Sequence, residues 1–185
     1  MTRFHLLAAA GALAATTFAS APLALAQDKE TRVANGARFG AWTVSCEAIA
    51  VNETVCVLSQ RLVATEGQTF LAEFLAFNDA EEPVAYIAAR VPNGVHFPSG
   101  LSLRGAEADE PLAFVWQNCS AELCEAILAV DAEVLGRIDI EAGAVAGYRP
   151  RPGAEPRIFR LATNGLGEGL AALAKATGAP GISAP

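Results

Sequence analysis

Four cysteines in two close couples, Cys46/Cys56 and Cys119/Cys124, follow an N-terminal stretch built like an export signal. An even cysteine count in an exported chain reads as two structural disulfides formed in an oxidising compartment. Four cysteines allow three connectivities. A Cys46–Cys56 bond would staple a hairpin near its open end, and a Cys119–Cys124 bond would close the short Ser120–Leu123 connection. Each closure contributes roughly 2–3 kcal/mol in the chain-entropy picture. A redox-active dithiol would favour Cys-X-X-Cys at a helix N-terminus, where the thiol pKa falls. Here the second couple is spaced Cys-X4-Cys and flanked by Glu122 and Glu125, which oppose thiolate formation. Neither couple has the short spacing of a zinc site.

The export reading rests on residues 1–26: basic Arg3, an apolar run from Phe4 to Ala19, and the small-residue exit Ala24-Leu25-Ala26. Cleavage after Ala26 is expected, leaving a chain that starts at Gln27. No later stretch reaches the ~20 consecutive apolar residues of a membrane span, so no transmembrane span is expected after cleavage. The formal charge of the whole chain is −7. Losing the leader leaves 12 Lys+Arg against 20 Asp+Glu. A field of that sign repels nucleic acid and anionic lipid at long range, and nucleic-acid binding is not expected. The nearest approach to a basic patch is Arg149, Arg151, Arg157 and Arg160.

The pattern from Phe39 onward is that of strands. Trp42, Val44 and Cys46 alternate with Thr43, Ser45 and Glu47, a period of two. Further strand-like runs are Val55–Val63, Thr69–Phe77, Val84–Val91, Val95–Phe97, Leu101–Arg104, Pro111–Trp116 and Cys124–Val130. Asp131–Ile140 reads as a short helix capped by Asp131, and Leu166–Ala176 as a second capped by Asn164. Ala144–Arg149 and Arg157–Leu161 read as strands joined by the Pro150–Pro156 loop. The expectation is a mainly antiparallel β-sandwich or barrel-like domain with one or two short helices near the C-terminus. Residues 27–36 read as a flexible lead-in, 37–177 as a single domain, and 178–185 as a disordered tail.

Candidates for chemistry are few. His5 leaves with the leader, so His96 is the one histidine any hydrolytic triad or metal site could use, and it sits among turn residues. The carboxylate groups Asp79/Glu81/Glu82 and Glu107/Asp109/Glu110 fall in turns, where solvation explains them, and neither follows a calcium-loop pattern. Gly165-Leu166-Gly167-Glu168-Gly169 imitates a dinucleotide loop, yet too few residues follow for the returning strand. It reads as a flexible helix start. Asn52-Glu53-Thr54 and Asn118-Cys119-Ser120 are formal glycosylation sequons. No catalytic set, cofactor or metal is expected.

The ordered set Phe39–Cys46, Cys56-Val57-Leu58-Ser59-Gln60, Pro92-Asn93-Gly94-Val95 leading to Pro98–Leu103, and Cys119 through Ala126 resembles the invasion-associated locus B family of alphaproteobacterial envelope proteins. The likeness runs from about Phe39 to Ala174. It implies a β-rich exported domain, periplasmic or associated with the outer envelope, with a role in host-cell interaction in some members and no family catalytic residues. It also implies disulfide pairing within each couple, Cys46 with Cys56 and Cys119 with Cys124, and Trp42 in the core. The expected partner is a protein or envelope component. A carboxylate-based enzyme and a thiol-disulfide participant are the competing readings. The chain departs from the family pattern at His96, where an apolar residue is usual, and in lacking a glycine within Ser120–Leu123.

Overall fold

The computed structural model describes residues 32–106 and 110–182. The expected leader, its cleavage point and Glu107 and Asp109 lie outside the described residues. Ten antiparallel strands form one curled sheet, a half-barrel: β1 (Arg38–Phe39), β2 (Trp42–Ala50), β3 (Glu53–Val63), β4 (Phe70–Asn78), β5 (Ala85–Pro92), β6 (Leu101–Arg104), β7 (Leu112–Cys119), β8 (Leu123–Val130), β9 (Ala144–Tyr148) and β10 (Arg157–Leu161). Their spatial order is β1-β2-β3-β4-β5-β8-β7-β6-β9-β10. Helix α1 (Ala132–Ile138) follows β8, and α2 (Leu166–Thr177) follows β10.

Alternation decides which side is dry. In β4, Ala72, Phe74 and Ala76 are fully buried while Glu73, Leu75 and Phe77 are half-buried on the outer face. The inner face carries Trp42, Val44, Leu58, Ile87, Leu101, Leu103 and Leu161, and α2 presses Leu166, Leu170 and Leu173 into the same core. The curl brings distant strands together inside. Phe74 on β4 lies 6.5 Å from Phe114 on β7 and 5.9 Å from Phe159 on β10, ring centre to ring centre. Trp42 is buried, as the family likeness implies, with its indole N–H unpartnered.

One polar residue reaches across the open side of the half-barrel. Gln60, on the inner face of β3, donates from Nε2 to the Ala162 carbonyl at 2.8 Å and accepts from the Ala162 N–H at 3.0 Å. The side-chain amide thereby acts as a one-residue strand, tying β3 to the chain just past β10.

Three local expectations differ from the structure. Residues 95–97 are not a strand: Gly94 at φ +91 and Pro98 break the ladder, and Phe97–Ser99 is a 3-10 turn. The residue at the start of α2 is Gly165 rather than Asn164, because its φ is +84 and a Cβ there would stand 2.6 Å from the Phe39 carbonyl carbon. The glycines beyond it are packed, not loose. A Cβ on Gly169 would meet Leu58 Cδ1 at 2.7 Å, and the Gly167 N–H donates to Asp139 Oδ2 at 2.9 Å. They let the helix approach β3 closely.

Candidate functional site

The outer face of the sheet is divided into stripes by its register. Arg61, Glu73, Arg90 and Glu125 stand opposite one another across β3, β4, β5 and β8. The signs alternate, so each charge has a neighbour of opposite sign. Arg90 Nε lies 2.8 Å from Glu125 Oε2, and Arg90 also lies 3.6 Å from Glu73 Oε2. The hydrogen bond to Glu125 is the main cause that raises the Arg90 pKa, against its partial burial. Arg61 lies over the Phe70 ring, 4.7 Å from its centre. Beside this ladder runs an apolar row of Leu75, Ala88, Ile127 and Val115, with Phe77 and Tyr86 stacked at 5.8 Å in the next row.

That apolar row leads to a corner where the sheet comes apart. The β3–β4 register ends at Leu58 opposite Ala76, so residues 53–57 pair with β2 alone and the β2–β3 hairpin projects past its neighbours. Asn52 makes its tip at φ +62, a conformation that asparagine tolerates. The opening between this hairpin, the β4–β5 turn and the end of α2 holds a cavity of about 610 Å³, lined by Val55, Val57, Phe77, Ile127, Leu173 and Thr177 among others. On the hairpin itself Ile49, Val51 and Val55 are 57%, 93% and 46% exposed. The Cys46–Cys56 disulfide ties the two strands at directly opposed positions at the base of this projection. A protruding apolar tip beside an apolar cavity is an arrangement that excludes water only when something else covers it.

The second disulfide, Cys119–Cys124, also joins directly opposed residues and closes the β7–β8 turn. Ser120 holds this glycine-free turn: its Oγ accepts from the N–H groups of Glu122 and Leu123 at 3.2 and 3.0 Å. Asn93 then fastens the Pro92-Asn93-Gly94 loop to the turn, its Nδ2 donating to the Ser120 carbonyl at 2.8 Å.

The titratable groups at the corner cavity, and His96, have structural partners. The two carboxylates at the corner cavity are Asp79 and Glu125. Glu125 belongs to Arg90, while Asp79 Oδ1 accepts from the backbone N–H groups of Glu81 and Glu82 at 2.8 and 2.9 Å. Those bonds hold the Asp79 pKa below its ordinary value. His96 is half-buried; its Nδ1 is 2.7 Å from Ser99 Oγ, and its backbone N–H donates to Arg149. Among the described residues no three His, Cys, Asp or Glu side chains gather as a metal site, and no cysteine is free. The structure divides the basic residues: Arg149 and Arg151 follow β9 and Arg160 lies on the outer face of β10, whereas Arg157 alternates onto the face of Phe159 and Leu161, beside Tyr148. It adds Arg104 from β6, which the sequence left among ordinary strand residues.

The chain is thus a disulfide-linked β half-barrel with a charged ladder on its outer face and an exposed apolar corner. The family model described as invasion associated locus B protein matches residues 42–174, and the chain belongs to this family. The fold is similar to the crystal structure of invasion associated protein b from Bartonella henselae, with a TM-score of 0.63 at 17% identity, covering 74% of this chain and 92% of that one. No curated protein matches the chain.

Proposed function

We propose that this is a non-enzymatic exported protein, periplasmic or associated with the outer envelope, that binds a protein or envelope component through the corner of the β2–β3 hairpin. Family membership and the two disulfides agree with an extracytoplasmic place. The observation that carries the binding reading is the joint exposure of Ile49, Val51 and Val55 beside the corner cavity. An apolar projection of this kind costs solubility unless it has a use. A carboxylate-based enzyme would need two free acids in close opposition. Asp79 and Glu125 at the cavity are instead bound to backbone amides and to Arg90. A role in host-cell interaction follows only from the family's name and remains part of the proposal.

The test is a capture experiment on envelope extract with the oxidised protein as bait. A protein or glycan recovered reproducibly above background supports the reading; none recovered under oxidising conditions contradicts it.

A further inference from the structure

The arginines on the outer face are treated in two ways. Across β3, β4, β5 and β8 every arginine has an acid opposite: Arg61 faces Glu73, and Arg90 lies between Glu73 and Glu125. Across β6, β9 and β10 the corresponding row reads Arg104, Val145, Arg160, in direct register. Neither arginine has an ion pair among the described residues. Two inter-strand steps put their Cα atoms about 10 Å apart, so both guanidinium groups can converge above the aliphatic Val145. Two cations on one face with no ion pair among the described residues is an unfavourable arrangement in water, and stands out in a chain of net charge −7.

Beside this row lies a groove of about 240 Å³ whose residues include Ser102, Arg104, Val145, Gly147, Arg149 and Ile158. Gly147, opposite Ser102 on one side and Ile158 on the other, leaves the floor without a side chain. A Cβ there would stand 3.1 Å from the Arg157 carbonyl oxygen and 3.6 Å from Ile158 Cγ1, so the close approach of β10 accounts for the glycine, and the open floor is its consequence. Arg149, at the far end of the groove, spends one N–H on the Ala154 carbonyl at 2.6 Å. That bond fixes the guanidinium while leaving other donors free. The Ser102 hydroxyl adds a further donor near the middle.

We propose that this groove binds an oxyanion, carboxylate or phosphate, carried on an anionic glycan chain, with Arg104 in its lining and Arg160, outside the lining across Val145, as the charged pair. The inference deepens the envelope-binding reading by giving that protein a second site with a defined ligand chemistry. Guanidinium groups match oxyanions by paired N–H bonds. The groove is smaller than the ~300–1,000 Å³ of pockets that enclose drug-sized ligands, which limits it to one charged unit. An anionic bilayer is disfavoured as the source, because the whole molecule is acidic and a flat anionic surface meets that field, whereas a single chain meets the local one. An acidic peptide added to the free edge of β10 would reach Arg160 and leave Arg104, two strands further in, unmet. Edge protection by charge accounts for Arg160 and likewise leaves Arg104 unexplained.

The test is amide NMR on the oxidised protein at low salt with four probes: inorganic phosphate, a galacturonic acid trimer, polyglutamate, and phosphatidylglycerol vesicles. Phosphate and the trimer should shift the amides of Ser102, Val145 and Gly147, with the effect fading as salt is added. R104Q and R160Q should each weaken trimer binding about tenfold, the loss of one charge-assisted contact. R61Q, which removes a paired arginine, should leave it unchanged, and unaltered melting temperatures show that the variants fold. No shift at the groove, equal loss in R61Q, or stronger binding of polyglutamate or vesicles than of the trimer overturns the proposal. Envelope capture that succeeds while the groove stays silent overturns the groove alone and leaves the binding reading standing.

Discussion

Replacing Gln60 tests how the open side of the half-barrel is held. The side chain is buried and makes both of its strand-like bonds to Ala162, a residue 102 positions further along. In Gln60→Met the volume is nearly kept, so little cavity is added, but the Ala162 N–H and C=O lose their partners in a place that Met keeps dry. A buried backbone group left unsatisfied costs about 1–3 kcal/mol. Two such groups, with some relaxation toward water, give about 2–4 kcal/mol. For a domain of this size that is a fall of roughly 5–15 °C in melting temperature. Gln60→Ala opens room for a water that can bond both groups and should cost less than the Met variant, although it removes more side chain. Urea unfolding with both disulfides intact gives the two free energies. Q60M within about 0.5 kcal/mol of the parent, or Q60A clearly worse than Q60M, would refute the argument that the paired hydrogen bonds matter more than the packing.

Removing the disulfides one at a time should follow loop length. The Cys46–Cys56 closure spans 10 positions and Cys119–Cys124 spans 5, so paired Cys→Ala variants should lose about 2.8 and about 2.2 kcal/mol in the chain-entropy picture; denaturant unfolding reads the order. Asp79 has a depressed folded-state pKa because two backbone amides bond its carboxylate. Its contribution is therefore present above its unfolded pKa and fades as pH falls through the lower folded value. A carboxyl NMR titration should place its midpoint below 3.8, and a midpoint at or above that value contradicts the turn geometry.

Much of the fold is legible in the sequence because period-two alternation survives wherever one face is dry. Trp42, Val44 and Cys46 point inward, as their spacing implies. Asp131 caps α1 as expected, with Oδ1 accepting from the Val134 N–H at 2.8 Å. What escaped is what depends on long-range register. Gln60 reads as an ordinary polar break in an apolar strand until Ala162 is brought opposite it. Arg104, Val145 and Arg160 have no relation along the chain and become one row only when β6 pairs with β9. The choice between sandwich and barrel was open for the same reason: alternation names the inner face of each strand but not how far the sheet curls. The corner is hidden too, since Ile49, Val51 and Val55 look like core residues until the β3–β4 pairing stops at Leu58. Apolar residues near a predicted turn, flanked by a cysteine couple, were the available signal.

The central claim is that the hairpin corner is a binding surface, and it is tested most directly by repeating the envelope capture with the I49D/V51D variant. Both side chains are exposed, so the changes should leave the melting temperature within a few degrees of the parent. The account predicts that the parent recovers a partner and the folded variant loses it by at least about tenfold, as expected when an anchor contact worth more than 1.4 kcal/mol is replaced by buried charge. Equal recovery by parent and variant would contradict it.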